Sequence, residues 1–84
     1  MTNVINVVQL KSGVFIEKWD YSQGYFSFAV TDVPLFAEHV EEQYFKQFFQ
    51  KDRELYGKKE NFPHEVEGSK LLEMTVEIKF REIA

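Results

Sequence analysis

The side chains of this sequence that are best suited to metal or acid–base chemistry are two histidines with carboxylates close by. His39 follows Glu38 and precedes Glu42 by three residues. A His/Glu pair at that helical spacing can ligate a metal when facing helices add further ligands. The sequence predicts a single long helix without a second copy of the pair. We therefore expect His39 to lie on a solvated helix face and to hold no metal.

The second histidine, His64, lies beside Pro63 and is followed by Glu65, without the second histidine that a zinc-protease helix needs. Carboxylates such as Glu73 and Glu77 alternate with Lys and Arg on a face that looks solvated, so no acid–base pair is predicted. The glycines are isolated from one another and form no phosphate-binding loop. We expect no catalytic residue, no metal and no cofactor, and therefore a protein that is not an enzyme.

A strand-like segment at 23–30 places aromatic residues two apart, as in strands that stack on RNA bases. Its glycine is displaced by one position from that motif, and no Lys or Arg precedes it. The order of predicted elements differs from an RNA-recognition motif, although it partly fits an oligonucleotide-binding barrel. We therefore interpret these aromatics as core residues of a strand.

Two aromatic groups are candidates for contact with a partner protein. The first is Trp19, Tyr21 and Tyr25 at one hairpin end, opposite in strand parity to Ile16 and Phe26. Trp and Tyr are favoured at the centres of interfaces because they bury a large area with little loss of rotamer freedom. The alternative for this group is a satellite cluster under a loop.

The second aromatic group lies on the predicted helix. Phe45, Phe49 and Tyr56 form a lobe beside the stripe that should face the sheet. The lobe either contacts a partner or belongs to a broad core-facing surface. Leaving it in water would be costly for so small a domain, so we expect a homodimer or a larger partner to cover it.

Turn signals divide the chain into elements of an α+β fold. Strands are predicted at 3–11, 14–19, 25–31 and 72–81, the last from strict alternation of apolar and polar residues. A long helix is predicted over 33–56, with Asp32 as N-cap and Gly57 as its stop. The order is β-β-β-α-β, an antiparallel sheet with one long helix packed across one face. The predicted core consists of Phe26, Phe28, Val40, Tyr44, Phe48, Val76 and Ile78.

The composition is that of a small folded domain. The chain has 84 residues, which is room for one domain spanning 1–84, and its 44% hydrophobic content is too high for a disordered chain. The formal charge of −4 shows no basic footprint, so nucleic acid is not the expected partner. With no cysteine and no segment that reads as a signal peptide or membrane span, we expect a soluble cytoplasmic protein away from the membrane.

These observations favour a non-enzymatic protein-binding module, a small regulator or inhibitor that occupies the surface of a larger protein. Such proteins are common in phages and mobile elements, which makes that origin one expectation. One alternative is a single-stranded nucleic-acid binder that uses Trp19, Tyr25 and neighbouring strand aromatics. The other is an acidic mimic of nucleic acid, which would use Glu38, Glu41, Glu42, Glu60, Glu65 and Glu67.

Overall fold

The computed structural model describes residues 2–51, 53–55, 57–59 and 62–84. The main sheet consists of β1 (Thr2–Gln9), β2 (Phe15–Ser22), β3 (Tyr25–Thr31) and β6 (Lys70–Glu77). Its strands are antiparallel in the order β3-β2-β1-β6. In the sequence, β3 is followed by one α-helix, α1 (Glu42–Phe48), and then by a small hairpin of β4 (Glu54–Leu55) and β5 (Lys58–Lys59), before β6. The predicted α+β class and the β-β-β-α-β order of the main elements are confirmed.

The hairpins of the sheet form where the turn residues predict them. β2 and β3 are joined by Gln23 and Gly24, both with positive φ (52° and 81°). Two successive residues of this kind make the tight turn whose twist matches that of paired strands. Gly13 (φ 101°) closes the connection from β1 to β2, where its N–H donates to the Leu10 carbonyl over 2.9 Å.

The predicted long helix is wrong in its length. Residues 34–36 form one turn of 3-10 helix, residues 37–41 lie outside any helix, and α1 covers only Glu42–Phe48. Asp32 is therefore not its N-cap; Glu41 occupies that position and makes no side-chain capping bond. The helix ends before Gly57, and Glu54–Leu55 is a strand instead.

The extended segment 37–41, the wedge, lies between β1 and β2. These two strands pair only at Gln9 and Phe15. Beyond that point the wedge joins them: the Glu38 N–H donates to the Ile16 carbonyl of β2 (3.1 Å), and the Val40 N–H donates to the Asn6 carbonyl of β1 (2.8 Å). These long-range bonds keep the wedge extended, because a helical segment would use the same N–H groups within the helix.

The hydrophobic core lies where the wedge and α1 meet one face of the sheet. Its buried members are Val8, Leu10, Ile16, Val40, Phe49 and Val66. Of the predicted core, Val40 is buried, while Phe26, Phe28 and Phe48 are half-buried and pack against this cluster. The prediction that Tyr44 belongs to the core is wrong, since Tyr44 is 42% exposed.

The alternation in β6 predicts that its apolar face lies beneath α1. In the structure, the other face of β6 lies there. Val8 of the core pairs with Leu71, which packs against the same cluster. Because successive side chains alternate across a strand, Leu72, Met74 and Val76 lie on the other face, opposite α1. Val76 is therefore half-buried without belonging to the core beneath the helix.

Candidate interaction surface

A β-bulge places the aromatic residues of β2. Ile16 pairs with Val30, but Lys18 pairs with the next residue, Ala29, so Glu17 is an extra residue in β2. One extra residue reverses the parity of everything beyond it. Trp19 consequently lies on the same face as Ile16, and the opposite parity predicted for Trp19 and Tyr21 is wrong.

Trp19 lies at the centre of a cluster of aromatic rings between the β2–β3 ribbon and α1. Its ring is 5.0 Å from that of Phe48 and 5.3 Å from that of Phe49, with the second pair edge to face. It also stacks on Phe26 at 6.1 Å. Tyr21 joins the cluster through Phe48, at 5.3 Å. Such geometries are favourable for aromatic pairs, so this cluster holds the helix against the ribbon.

Arg53 lies inside the same cluster and closes the end of α1. Its side chain donates from a terminal guanidinium nitrogen to the carbonyl oxygen of Phe48, the last helical residue, over 2.7 Å. The guanidinium carbon lies 5.4–5.9 Å from the ring centres of Tyr21, Phe26 and Phe62. A cation at a helix C-terminus and over aromatic faces is stabilising. This buried arginine therefore belongs to the structure of the domain.

The predicted contact residues fall into two groups in the structure. Trp19, Tyr21 and Phe45 are half-buried, and Phe49 is buried, all of them within the packed rings. Tyr25 pairs with Ser22 on the other face of the ribbon, and its side chain is 77% exposed. Tyr56 lies outside the described residues. A binding role for these six residues stays a prediction.

The wedge gives His39 and Glu38 roles that the helix prediction missed. His39 Nδ1 accepts a hydrogen bond from the Asn6 N–H of β1 at 2.9 Å. A Glu38 carboxylate oxygen accepts from the Trp19 N–H of β2 at 3.2 Å. These side chains satisfy strand N–H groups at the point where β1 and β2 separate. His39 is exposed, as predicted, but the predicted helix is wrong there, because residues 37–41 form no helix.

The other candidates for chemistry remain apart from one another. The side chain of His64 is 97% exposed, and its Nδ1 lies 3.8 Å from a Glu67 carboxylate oxygen. In residues 2–51, 53–55, 57–59 and 62–84, no three His, Asp or Glu side chains come together as a possible metal site. A shallow groove of about 360 Å³ lies beside the β2–β3 ribbon, and charged side chains of both signs line part of it. The groove is lined by Lys18, Trp19, Asp20, Ser27, Phe28, Ala29 and Glu38.

The turn that follows β3 presents large apolar side chains to solvent. In the segment Val33–Phe36, the apolar turn, Leu35 is 66% exposed and Phe36 is 63% exposed. The Phe36 N–H donates to the Val33 carbonyl (3.0 Å), and the Ala37 N–H donates to the Pro34 carbonyl (3.1 Å). The turn is thus ordered by its own backbone bonds while its side chains contact water.

The backbone on either side of the apolar turn is also fixed. The Val33 N–H donates to the Thr31 hydroxyl oxygen (3.1 Å), and the wedge follows directly after the turn. Val30, at the end of β3, is exposed as well and extends the apolar surface along the edge of the sheet. The predicted helix contained Leu35 and Phe36, so this surface was not predicted from the sequence. Neither residue belonged to the lobe or to the predicted core of that helix, which was the available signal.

Comparison with protein-family models, with curated proteins and with solved structures finds no match for this chain. Within the part of the chain that the structure describes, no helix has the length and apolar character needed to cross a membrane.

Proposed function

We propose that this chain is a non-enzymatic protein-binding module, a small regulator or inhibitor that occupies the surface of a larger protein. The observation that carries this proposal is the apolar turn Val33–Phe36. Exposed large apolar side chains next to one another are typical of protein interaction sites. Burying a Leu or a Phe contributes about 1.5–3 kcal/mol, so two side chains exposed by about two thirds offer roughly 2–4 kcal/mol to a complex.

The apolar turn is already ordered before binding, so little conformational entropy is lost when it binds a partner. Its backbone is held by Thr31 before it, by its own bonds, and by the wedge after it. A contact that is already in one conformation loses less entropy on association than a flexible one. We therefore propose that Leu35 and Phe36 enter an apolar pocket of the partner as a preformed unit.

The negative charge of the chain indicates which charges should surround the partner's pocket. Asp32, directly before the turn, is exposed, and the whole chain carries a formal charge of −4. Complementary charge speeds association and selects between partners. We propose a basic rim around the partner's pocket, and the cytoplasm as the compartment in which the two proteins meet.

The chain is also proposed to self-associate. The surface first predicted for this, Phe45 and Phe49, is turned toward the core, since only 2% of Phe49 is exposed. Self-association would therefore use apolar surface away from α1. This proposal is independent of the partner at the apolar turn.

The protein partner can be tested by affinity capture from host lysate with and without nuclease. The double variant Leu35→Glu/Phe36→Glu puts charge into the proposed contact at positions that are already exposed. Ile83→Glu is the matched control, because Ile83 is 83% exposed and lies outside the turn. We expect a partner that survives nuclease treatment, that the control variant retains and that the double variant loses.

Two other results would contradict the proposal and favour its alternatives. A capture that nuclease abolishes, and that Tyr25→Glu also abolishes, would favour a single-stranded nucleic-acid binder. A partner that the double variant retains and that heparin displaces would favour an acidic mimic of nucleic acid. Unchanged Trp19 fluorescence is required of each variant, because it shows that the aromatic cluster is intact.

A further inference from the structure

β6 forms an open edge of the main sheet. It pairs with β1 along its full length, from Gln9↔Lys70 to Thr2↔Glu77. In the part of the chain that the structure describes, no strand pairs with its other side. The chain continues past the end of β1 to Phe80, whose side chain is 90% exposed. A long edge with exposed apolar side chains is a template for another strand.

We infer that two copies of this chain pair through β6 and the residues 78–82 that follow it, antiparallel, in the register that places Val76 on the two-fold axis. In this register Met74 lies opposite Ile78 of the second copy, and Leu72 lies opposite Phe80. All of these pairs fall on the face opposite α1, so the exposed Leu72 and Phe80 lie opposite each other and the half-buried Met74 and Ile78 do the same. The inference deepens the self-association proposed above and rests on it.

Charge complementarity along the strand supports this register. It places Glu73 opposite Lys79 and Lys70 opposite Glu82. The two-fold axis makes each pair occur twice, and no like charges face each other. Within one chain, the Lys79 Nζ already lies 3.5 Å from a Glu77 carboxylate oxygen. Charged side chains of this segment therefore reach a partner two residues away in the sequence. Opposite charges across paired strands are stabilising, and like charges are destabilising.

Neighbouring registers are less favourable. A two-fold axis at Glu77 or at Lys79 places a charge directly opposite itself. An axis at Thr75 places Glu73 opposite Glu77. An axis at Ile78 avoids like charges but places the apolar Met74 opposite the charged Glu82. A two-fold axis that lies between two residues pairs apolar side chains with charged ones. The reason is that a one-residue slip moves each side chain to the other face.

The proposed pairing extends over 70–82 of both copies, so that residues 78–82, which lie beyond the end of β6, join the strand in the dimer. At the alternating spacing of an antiparallel pair this gives about a dozen inter-strand hydrogen bonds. The sheet of each copy would join into one continuous sheet, and both open β6 edges would be covered. Such an isologous contact closes on itself and stops at the dimer.

Charge reversal tests the register directly by sedimentation equilibrium of the full chain. Glu73→Lys and Lys79→Glu each turn two attractive pairs into two repulsive ones. We expect a dimer for the unmodified chain, and a dissociation constant roughly tenfold higher for each single variant. The double variant restores opposite charges and should return the constant to within about threefold of the original. Far-ultraviolet circular dichroism checks that each variant is folded.

A single cysteine provides a second measurement that does not depend on the charges. The sequence has no cysteine, so Val76→Cys introduces a unique thiol on the proposed axis. Residues directly opposite in an antiparallel pair come close enough for a disulfide. We expect oxidation to give a covalent dimer for Val76→Cys, and none for Ser22→Cys at the far hairpin under the same conditions.

A chain that stays monomeric at millimolar concentration would overturn the inference. A dimer that neither single reversal weakens, or whose weakening the double variant does not reverse, would also overturn it. None of these substitutions touches the apolar turn. Failure of this dimer is therefore distinguishable from loss of the protein partner, which is measured with Leu35→Glu/Phe36→Glu.

Discussion

Replacing His39 with Ala should lower the free energy of unfolding by about 1 kcal/mol. The variant removes the acceptor for the Asn6 N–H, a bond of 2.9 Å that joins residues 33 apart in the sequence. A hydrogen bond contributes a net 0.5–1.5 kcal/mol, and Asn6 is half-buried, so water replaces the lost acceptor only in part. In a domain of this size 1 kcal/mol corresponds to about 4–8 °C in Tm.

Two further variants isolate the hydrogen bond from other effects of the substitution. His39→Asn keeps an acceptor at the position of Nδ1, since both atoms lie two bonds beyond Cβ, and should cost less than about 0.5 kcal/mol. His64→Ala removes the other histidine, whose side chain is 97% exposed, and should change stability by less than about 0.5 kcal/mol.

The assay is urea unfolding followed by the fluorescence of Trp19. This is the only tryptophan of the chain, and it reports on the rings of Phe48 and Phe49 around it. The slope of the transition should stay the same in all three variants, so that the midpoint measures stability. Equal stabilities for His39→Ala and His64→Ala would refute the structural role of the wedge. A loss for His39→Asn as large as that for His39→Ala would refute the role of its acceptor atom.

Three other substitutions test local features of the fold by the same unfolding assay. Gln23→Asn should stabilise the chain by about 0.5 kcal/mol, because Asn tolerates the positive φ of this turn better than Gln; a loss of stability would contradict the turn geometry. Phe49→Ala should cost about 3–5 kcal/mol and Tyr44→Ala much less, since only Phe49 is buried; similar costs would show that α1 is rotated. Arg53→Met should cost about 2 kcal/mol through loss of the helix-end bond, whereas Lys51→Met, at an exposed side chain, should be nearly silent; equal effects would contradict the buried arginine.

The strands were predictable because their signals are local. Turns at Gly13 and Gly24 and the alternation in β6 are visible without knowledge of the rest of the chain. The faces of the strands were not predictable in the same way. A single extra residue at Glu17 reverses the parity of β2, and the pairing of Val8 with Leu71 decides which face of β6 lies beneath α1. Both depend on contacts between strands.

The helix prediction was wrong because tertiary contacts outweigh helical periodicity in 37–41. Val40 and its neighbours fit a helical stripe, yet their N–H groups donate to β1 and β2. The choice of Phe45, Phe49 and Tyr56 as candidate contact residues followed from that error. Once 33–36 is a turn and not the start of a helix, Leu35 and Phe36 lie in solvent, while Phe49 is taken into the core.

Site-specific photo-crosslinking in cells tests the central claim most directly. A photo-reactive phenylalanine analogue at Phe36 preserves the aromatic side chain and captures whatever contacts the apolar turn. The same analogue at His64, whose side chain is 97% exposed, is the control. We predict a nuclease-resistant adduct with one larger protein from position 36 and none from position 64. The absence of any protein adduct from position 36, or the same adducts from both positions, would contradict the proposal that this turn is the contact surface of a protein-binding module.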